Sequence, residues 1–402
     1  MKNDAYQDKI QWLFQQFPVF QKVGESAYKP TLENTERLIN LFSIPIDSMK
    51  FVHVAGTNGK GSTCSILASL LTESDQRVGL FTSPHIKDFR ERIRVDGVMI
   101  EKAEVITFID QIQDTNLDFQ PSFFEITWVL ALSHFYHSKC DMIVVETGLG
   151  GRLDATNTIS PLLSVITNIG LDHTAILGDT MTQIANEKAG IIKQNTPILI
   201  GESTAETRPI FQQKASACNA PITFIEEQTE ESVMECNKRL AILAFQELLK
   251  DKKRDFSDEL VDKAITNIHK NTGFYGRNQV FSKSPLIILD AAHNEMGIER
   301  FIQEIQRAYS DKNIVALYGA SNDKELDKIS ALFPSTWRYL ITTFSGQRSM
   351  KLEQFKANKN IQQLDVIYYE NSQKAFSTLQ KINTKTDIGI VFGSFFLLEE
   401  II

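Results

Sequence analysis

Short apolar runs rich in Val, Ile and Phe alternate along the chain with longer stretches of mixed polarity. Runs of this length, bounded by glycine or polar residues, are typical of buried strands. In the first part of the chain we predict strands at Phe51 to Ala55, Val78 to Ser83, Met142 to Thr147, Leu162 to Ile169 and Pro197 to Gly201. Strands that alternate with helices predict a mostly parallel sheet covered by helices.

Two helical stretches follow these strands. Residues 231–250 carry apolar side chains at helical spacing, and a second helix is predicted at residues 258–269. The strand pattern then resumes at Pro285 to Ala291, Asn313 to Gly319, Tyr339 to Phe344, Val366 to Glu370 and Ile388 to Phe396. We therefore predict an α/β protein with a larger domain at residues 1–281 and a smaller one at 282–402.

Composition narrows the class of function. The chain has 402 residues, of which 42% are hydrophobic and 23% charged, a globular balance. Its net charge of -8 argues against a nucleic-acid partner, so an anionic substrate needs local cations or metal ions. The four cysteines form no CxxC pair, and no apolar stretch reaches membrane-spanning length. We expect a cytoplasmic protein that binds neither membranes nor nucleic acid.

The strongest local signal is the glycine-rich run from Gly56 to Ser62, placed between a predicted strand and an apolar helix. Such a loop lets backbone N–H groups approach phosphate oxygens, and Lys60 adds a mobile cation. The run is two residues shorter than the standard P-loop between its first glycine and the lysine, and Gly61 is extra. The alternative, a simple turn, requires three glycines and a lysine by coincidence.

Three further residues follow predicted strands of the first domain, and the motifs alone leave their roles open. Glu146 ends a strand where a magnesium ligand would lie, but it could equally cap the next helix. His173 could bind metal, although a structural histidine is the commoner case. Lys188 lies on a helix that starts with the capping pair Thr180 and Gln183, and it could be an ordinary surface lysine.

The second domain offers weaker signals. Arg277 follows the turn at its entrance and could neutralise phosphate charge. Asp290 ends the first predicted strand and could accept hydrogen bonds from ribose hydroxyls, although a helix cap is the commoner use of such a residue. His293 follows within the same segment.

Combined in chain order, these segments resemble the folylpolyglutamate synthase/dihydrofolate synthase family, a branch of the Mur ligases. The matching segments are Phe51 to Ser62, Thr82 to His85, Glu91 to Gly97, Phe123 to Glu125, Glu146 to Asn157, Asn168 to Lys193, Gly276-Arg277 and Asp290 to Asn294. The resemblance implies a Mur-ligase-like fold, in which a P-loop domain with a mostly parallel sheet precedes a smaller Rossmann-like α/β domain.

The resemblance also implies roles for individual residues. ATP would be bound by Asn58, Gly59, Lys60, Gly61, Ser62, Asn237, Arg277 and Asp290. Magnesium would be bound by Ser83, Glu146 and His173. The folate substrate would be bound by Ser122, Phe123, Phe124, Glu125, Leu153, Asp154 and Ala155. Lys60, Lys188 and His293 would act in catalysis, with Lys188 carried as a carbamate, and His293 and Ser394 would receive the incoming glutamate.

The implied reaction joins L-glutamate to a folate, or to dihydropteroate, through an acyl phosphate made with ATP and Mg²⁺. We expect a monomer. The chain departs from the family at Tyr275, at Asp290 to Glu295 and at Phe395 to Leu397, which leaves the hinge and the glutamate pocket open to variation.

Two alternatives remain at this point. A Mur-type ligase could act on another carboxylate precursor, although only about 50 residues precede the phosphate loop. A non-catalytic nucleotide-binding module could descend from a ligase, but the retained set of charged residues is more than such a module needs.

Overall fold

The computed structural model describes residues 5–17, 31–226, 231–250 and 256–402. The chain forms two compact units, Met1–Phe274 and Tyr275–Ile402. The division precedes the predicted boundary at residue 282 because the strand Gln279–Lys283 pairs with Leu286–Leu289 and therefore belongs to the second unit.

An eight-stranded sheet forms the centre of the first unit. Its strands are β1 Phe51–Ala55, β2 Val78–Phe81, β3 Ile93–Val95, β4 Val98–Met99, β5 Met142–Glu146, β6 Leu163–Ile166, β7 Ile198–Ile200 and β8 Ile222–Phe224. Their order is β4-β3-β2-β5-β1-β6-β7-β8. Only the edge formed by β3 and β4 is antiparallel, so the carboxyl ends of the other six strands share one edge of the sheet.

Helices cover both faces of this sheet. They are α1 Ala5–Gln16, α2 Glu33–Leu41, α3 Lys60–Glu73, α4 Lys102–Asp114, α5 Phe123–His137, α6 Thr174–Leu177, α7 Met181–Ala189, α8 Arg208–Ala217, α9 Val233–Leu249, α10 Asp258–Thr266 and α11 Ile268–Thr272. Short 3-10 helices occur at Phe89–Arg92 and Ala155–Thr158. On one face Phe51 and Phe81 pack with Trp128 of α5, and on the other α3 packs against α9 through Leu67 and Phe245.

The second unit is built on a six-stranded sheet. Its strands are β9 Gln279–Lys283, β10 Leu286–Leu289, β11 Asn313–Tyr318, β12 Arg338–Thr342, β13 Asp365–Tyr369 and β14 Asp387–Phe392. Its helices are α12 Glu295–Ala308, α13 Leu326–Ser330, α14 Leu352–Ala357, α15 Ser372–Leu379 and α16 Phe395–Ile401. The order is β13-β12-β11-β14-β10-β9, and only β9 is antiparallel to its neighbour. Tyr318, Phe333, Phe355 and Phe392 form an aromatic core.

The prediction of an α/β protein with two sheets is confirmed. The prediction that the last strand extends to Phe396 is wrong. That strand ends at Phe392 because Gly393 adopts φ +114°, and the Ser394 side chain then accepts a hydrogen bond from the Phe396 amide to start α16. Four short strands were not predicted: β3, β4, β8 and β9, which are two to five residues long and occupy the two edges of the first sheet and one edge of the second.

The core of the first unit can be tested on two neighbouring residues of α5. Phe135 is fully buried, whereas Tyr136 is 45% exposed. We expect Phe135→Ala to reduce the free energy of unfolding by about 3–5 kcal/mol because it leaves a cavity. Tyr136→Ala should change it by no more than about 0.5 kcal/mol. Urea denaturation measures both, and equal losses would contradict this placement of α5.

Candidate active site

The glycine-rich loop connects β1 to α3 at the carboxyl edge of the first sheet. Gly59 adopts φ +80°, and a Cβ atom there would lie 2.3 Å from Asn237 Oδ1 of α9. At Gly56 a Cβ atom would lie 1.8 Å from Thr167 Oγ1. Both positions therefore require glycine, since a larger residue would clash with side chains that hold the loop.

Backbone and side-chain hydrogen bonds fix this loop to the segment after β6. The Asn58 amide donates to Asn168 Oδ1 (2.9 Å), and the Thr57 amide donates to the Asn168 carbonyl (3.1 Å). Thr167 Oγ1 donates to the Asn58 carbonyl (2.6 Å). Because glycine occupies the N-cap of α3, no side chain caps its first amides, and they are available to a phosphate group.

Two lysines converge on the Gly56 carbonyl. Lys60 Nζ donates to it at 3.1 Å and to the Thr57 carbonyl at 3.2 Å. Lys188 Nζ, on α7, donates to it at 2.8 Å, and Lys188 is only 3% exposed. The burial of Lys188, followed by the nearby Lys60 ammonium group, lowers the pKa of Lys188 to about 7. The structure thus rejects the surface-lysine alternative for Lys188.

The carboxylate of Glu146 lies beside Lys60. Glu146 ends β5, is 4% exposed, and its Oε1 lies 4.0 Å from Lys60 Nζ. Its Oε2 accepts a hydrogen bond from the Ser83 amide (3.0 Å). Gly61 leaves room for it, since a Cβ atom at that position would lie 3.3 Å from Oε2. Glu146 therefore faces the phosphate loop rather than capping a helix.

The donor atoms here fit a magnesium ion that is bound mostly by substrate and water. In the described ranges, no three His, Cys, Asp or Glu side chains converge to form a metal cage. Mg²⁺ normally uses one or two carboxylates plus phosphate oxygens, and Glu146 beside the phosphate loop, with Ser83 next to it, matches that requirement. The third predicted ligand, His173, precedes α6 at φ +51°, with Nε2 3.9 Å from Asp172 Oδ2.

Most of the polar residues predicted to bind folate have structural hydrogen bonds in this unit. Ser122 and Glu125 form the capping box at the start of α5. Asp154 is buried and accepts hydrogen bonds from the Leu149 amide (2.7 Å) and the Thr156 amide (3.0 Å). Burial raises the pKa of the Asp154 carboxyl. Their use in folate binding stays a prediction.

The two aromatic residues predicted to bind folate, Phe123 and Phe124, pack against other aromatic rings. Phe123 stacks on Phe14 of α1 at 4.9 Å between ring centroids, and its edge meets Phe89 at 5.8 Å. Phe124 packs against Phe81, and a Cβ atom at Gly148 would lie 2.4 Å from the Phe124 ring. The other two residues of the prediction, Leu153 and Ala155, are half-buried and buried.

Sequence reasoning missed a buried histidine that supports the Asp154 turn. His53 Nε2, in the middle of β1, lies 2.8 Å from Thr156 Oγ1, which in turn donates to Asp154. Burial lowers the pKa of His53 to about 3, so the ring is neutral. The only sequence signal was a polar residue inside a strand whose other four residues are apolar and buried.

Two of the predicted residues of the second unit contact Phe395. The Arg277 guanidinium lies 4.8 Å over the Phe395 ring, and the His293 ring lies 5.7 Å from it. Asp290 accepts hydrogen bonds from the Asn278 and Ala292 amides, both at 2.7 Å. Burial raises the pKa of Asp290, while Arg277 opposes that shift. Phe395 departs from the family pattern, and it contacts Arg277 and His293, which both match that pattern.

Comparison with known proteins gives a consistent result. The model of the Mur ligase middle domain matches residues 54–248, and that of the Mur ligase glutamate ligase domain matches residues 276–395. The chain is 35% identical over 358 residues to the dihydrofolate synthase/folylpolyglutamate synthase of Bacillus subtilis, covering 80% of each chain. The chain belongs to the dihydrofolate synthase/folylpolyglutamate synthase family.

Solved structures of family members have the same fold. The folylpolyglutamate synthase of Thermotoga maritima matches with a TM-score of 0.80 at 25% identity, covering 99% of this chain and 96% of that one. The bifunctional enzyme of Yersinia pestis, complexed with AMPPNP and a Mn ion, matches with a TM-score of 0.81 at 25% identity, covering 99% and 97%. Within the described residues, no helix of this family member is long and apolar enough to cross a membrane.

Lys188 makes a testable contribution to stability. Folding lowers its pKa from 10.5 to about 7, so between these values the unfolded chain binds the additional proton and the stability of the protein rises with pH. Without substrates and bicarbonate, we expect Lys188→Met to be roughly 2–4 kcal/mol more stable than the parent near pH 7, with the difference shrinking toward pH 10. Denaturant titrations at several pH values measure this difference.

The control is Lys214→Met, which removes an exposed lysine from α8. Its stability should follow that of the parent at every pH. A Lys188→Met variant that is less stable than the parent near pH 7 would show that the buried ammonium group is stabilised rather than strained.

Proposed function

We propose that this chain joins L-glutamate to the carboxylate of a folate, at the expense of ATP, through an acyl phosphate. The observation that supports this most is the phosphate loop with Lys60, Lys188 and Glu146 at one strand edge, in a member of the dihydrofolate synthase/folylpolyglutamate synthase family. The proposed substrates are ATP, L-glutamate and either a tetrahydrofolate or dihydropteroate.

The chemistry has two steps. A carboxylate oxygen of the acceptor attacks the γ-phosphorus of ATP, the bond to the β-phosphate oxygen breaks, and ADP leaves. The neutral amine of glutamate then attacks the acyl carbon, phosphate leaves, and the amine loses a proton as the amide forms. Lys60 and the amides of α3 offset the negative charge that spreads over the transferring phosphoryl group. Asn58, Gly59, Gly61 and Ser62 belong to the same loop and would contact the phosphates.

Magnesium is the proposed metal. When bound, it supplies positive charge that neutralises the phosphate oxygens. Glu146 and Ser83 would hold it, and His173 is the proposed ligand of a second ion. Asn237 adjoins the loop through Gly59 and Thr63, which suits a contact with the nucleotide.

We further propose that Lys188 works as a carbamate. A lysine with a pKa of about 7 is partly a free amine at neutral pH, and the free amine is the form that reacts with CO₂. The product is an anion, so the repulsion between the buried Lys188 ammonium group and the half-buried Lys60 ammonium group would become an attraction. An anionic oxygen can also ligate a cation, which an ammonium group cannot.

The remaining predicted residues are proposed to serve the other two substrates. Arg277 and Asp290 would contact the nucleotide, and His293 and Ser394 would receive glutamate. Phe123 and Phe124 are proposed to form the wall of the pterin pocket, where the half-buried Phe124 is the ring on which a pterin could stack and the buried Phe123 supports it from behind. We expect the enzyme to work as a cytoplasmic monomer.

The test is ADP release by the purified protein with ATP, magnesium and glutamate, with product masses recorded. The acceptors are dihydropteroate, tetrahydrofolate and none. We expect turnover that depends on both acceptor and glutamate. Turnover with tetrahydrofolate alone identifies a polyglutamate synthase, and turnover with both identifies a bifunctional enzyme. Protein that binds ATP but is inactive with every folate would overturn the proposal.

A second prediction concerns the metal. Glu146→Gln keeps the hydrogen bond from Ser83 but removes the negative charge beside Lys60. We expect the magnesium concentration for half-maximal activity to rise about tenfold or more, with unchanged unfolding. Glu104→Gln is the matched control, since the Glu104 carboxylate hydrogen-bonds to His134 of α5 and not to the phosphate loop. A normal magnesium titration for Glu146→Gln would contradict the metal assignment.

A further inference from the structure

Arg92 is a buried cation that pairs with no carboxylate among the described residues. It ends the 3-10 helix Phe89–Arg92 and is 3% exposed. Its one side-chain hydrogen bond in the described chain runs from Nε to His85 Nδ1 (2.8 Å). Neither Nη atom hydrogen-bonds to a described residue, and neither belongs to the fully enclosed side-chain atoms that lack a partner, so both keep some contact with solvent. A buried guanidinium group normally has an anion to bind, because desolvating it unpaired is costly.

The nearby carboxylates are already used. Glu91 accepts hydrogen bonds from three successive amides, those of Ile86, Lys87 and Asp88, at 2.7–3.0 Å. Glu146 accepts from the Ser83 amide and lies near Lys60. Both attract Arg92 through space, yet burial dominates and lowers the pKa of Arg92 to about 10. The guanidinium group remains charged at neutral pH.

His85 orients this guanidinium group. Its Nδ1 accepts the hydrogen bond from Arg92, so the proton of the neutral ring is on Nε2. An imidazolium ring has no acceptor nitrogen, so this hydrogen bond is made by the neutral ring. With Nε held by His85, the two Nη atoms form the available side of the planar group, a geometry suited to a carboxylate.

Arg92 lies between the two parts of the site that the proposed reaction must connect. On one side its guanidinium group lies 5.5 Å over the ring of Phe123, which is proposed to contact the pterin. On the other, its carbonyl accepts from the Thr82 amide, next to Ser83, which donates to Glu146 at the phosphate loop. A folate bound in the pocket proposed beside Phe123 and Phe124, with its carboxylate at the phosphate loop, would bring that carboxylate close to Arg92.

We propose that Arg92, held by His85, binds a carboxylate of the acceptor substrate. This inference rests on the proposed function. Dihydropteroate has a single carboxylate, the one that is phosphorylated, whereas tetrahydrofolate also carries the neighbouring carboxylate of its glutamate. Arg92 could bind either group, and the choice of acceptor separates the two cases.

The test compares Arg92→Gln with the parent in steady-state kinetics. We expect the KM for the acceptor to rise about 10- to 100-fold, the range for losing a charge-assisted hydrogen bond, while the affinity for ADP stays unchanged. A rise with both acceptors places the reacting carboxylate on Arg92, and a rise with tetrahydrofolate alone places the neighbouring carboxylate there. Unchanged KM values for both acceptors would overturn the inference.

A binding measurement separates carboxylate recognition from support of Phe123. Pteroate and its methyl ester are compared as competitive inhibitors of the parent and of Arg92→Gln. The parent should prefer the acid, and Arg92→Gln should lose that preference about tenfold or more. If the variant weakens both inhibitors equally, Arg92 acts only through packing, and the inference fails.

Two controls complete the design. Arg90→Gln removes a cation from the same 3-10 helix, but Arg90 is paired with Asp88 and should leave the acid preference intact. His85→Leu removes the acceptor that orients Arg92 and should lose part of the preference, which His85→Gln should restore. Parent protein that turns over no folate refutes the proposed function, whereas active parent with an unaffected Arg92→Gln variant refutes only this inference.

Discussion

The placement of two ammonium groups on one carbonyl oxygen is the interaction on which the site depends. Lys60 and Lys188 both donate to Gly56, and Glu146 is the one carboxylate paired with either of them at 4.0 Å or less among the described residues. Burial strengthens the repulsion between like charges and makes Lys188 easier to deprotonate. The site therefore favours anions, which a chain with a net charge of -8 could not attract by its overall field.

The parallel sheet explains why these groups meet. Because β1, β5 and β6 are parallel neighbours, the residues that follow them share one edge of the sheet. Gly56, Glu146 and Thr167 come from separate parts of the chain, yet each follows the end of one of these strands or ends it. Asn237 reaches the same loop from α9, which packs on α3.

This edge could be predicted from sequence, since strand ends are marked by glycine and polar residues. The capping box at Thr180 and Gln183 was also predictable, because the signature is local. The roles of His85 and Arg92 were not, because a histidine beside a proline and an arginine in a polar run look like surface residues. Their pairing depends on a turn in which Glu91 binds three amides, and no sequence period reveals that turn. The short edge strands lack enough residues for any periodicity to appear.

The state of Lys188 tests the account most directly. Protein equilibrated with ¹³C-labelled bicarbonate near neutral pH is examined by ¹³C NMR for a carbamate carbon, with Lys188→Arg and the exposed-site variant Lys214→Arg in parallel. The account predicts one carbamate resonance in the parent and in Lys214→Arg, and its loss in Lys188→Arg. A parent with no such resonance, or a resonance that persists in Lys188→Arg, would contradict the claim that the repulsion between Lys60 and the buried Lys188 is relieved by turning Lys188 into an anion.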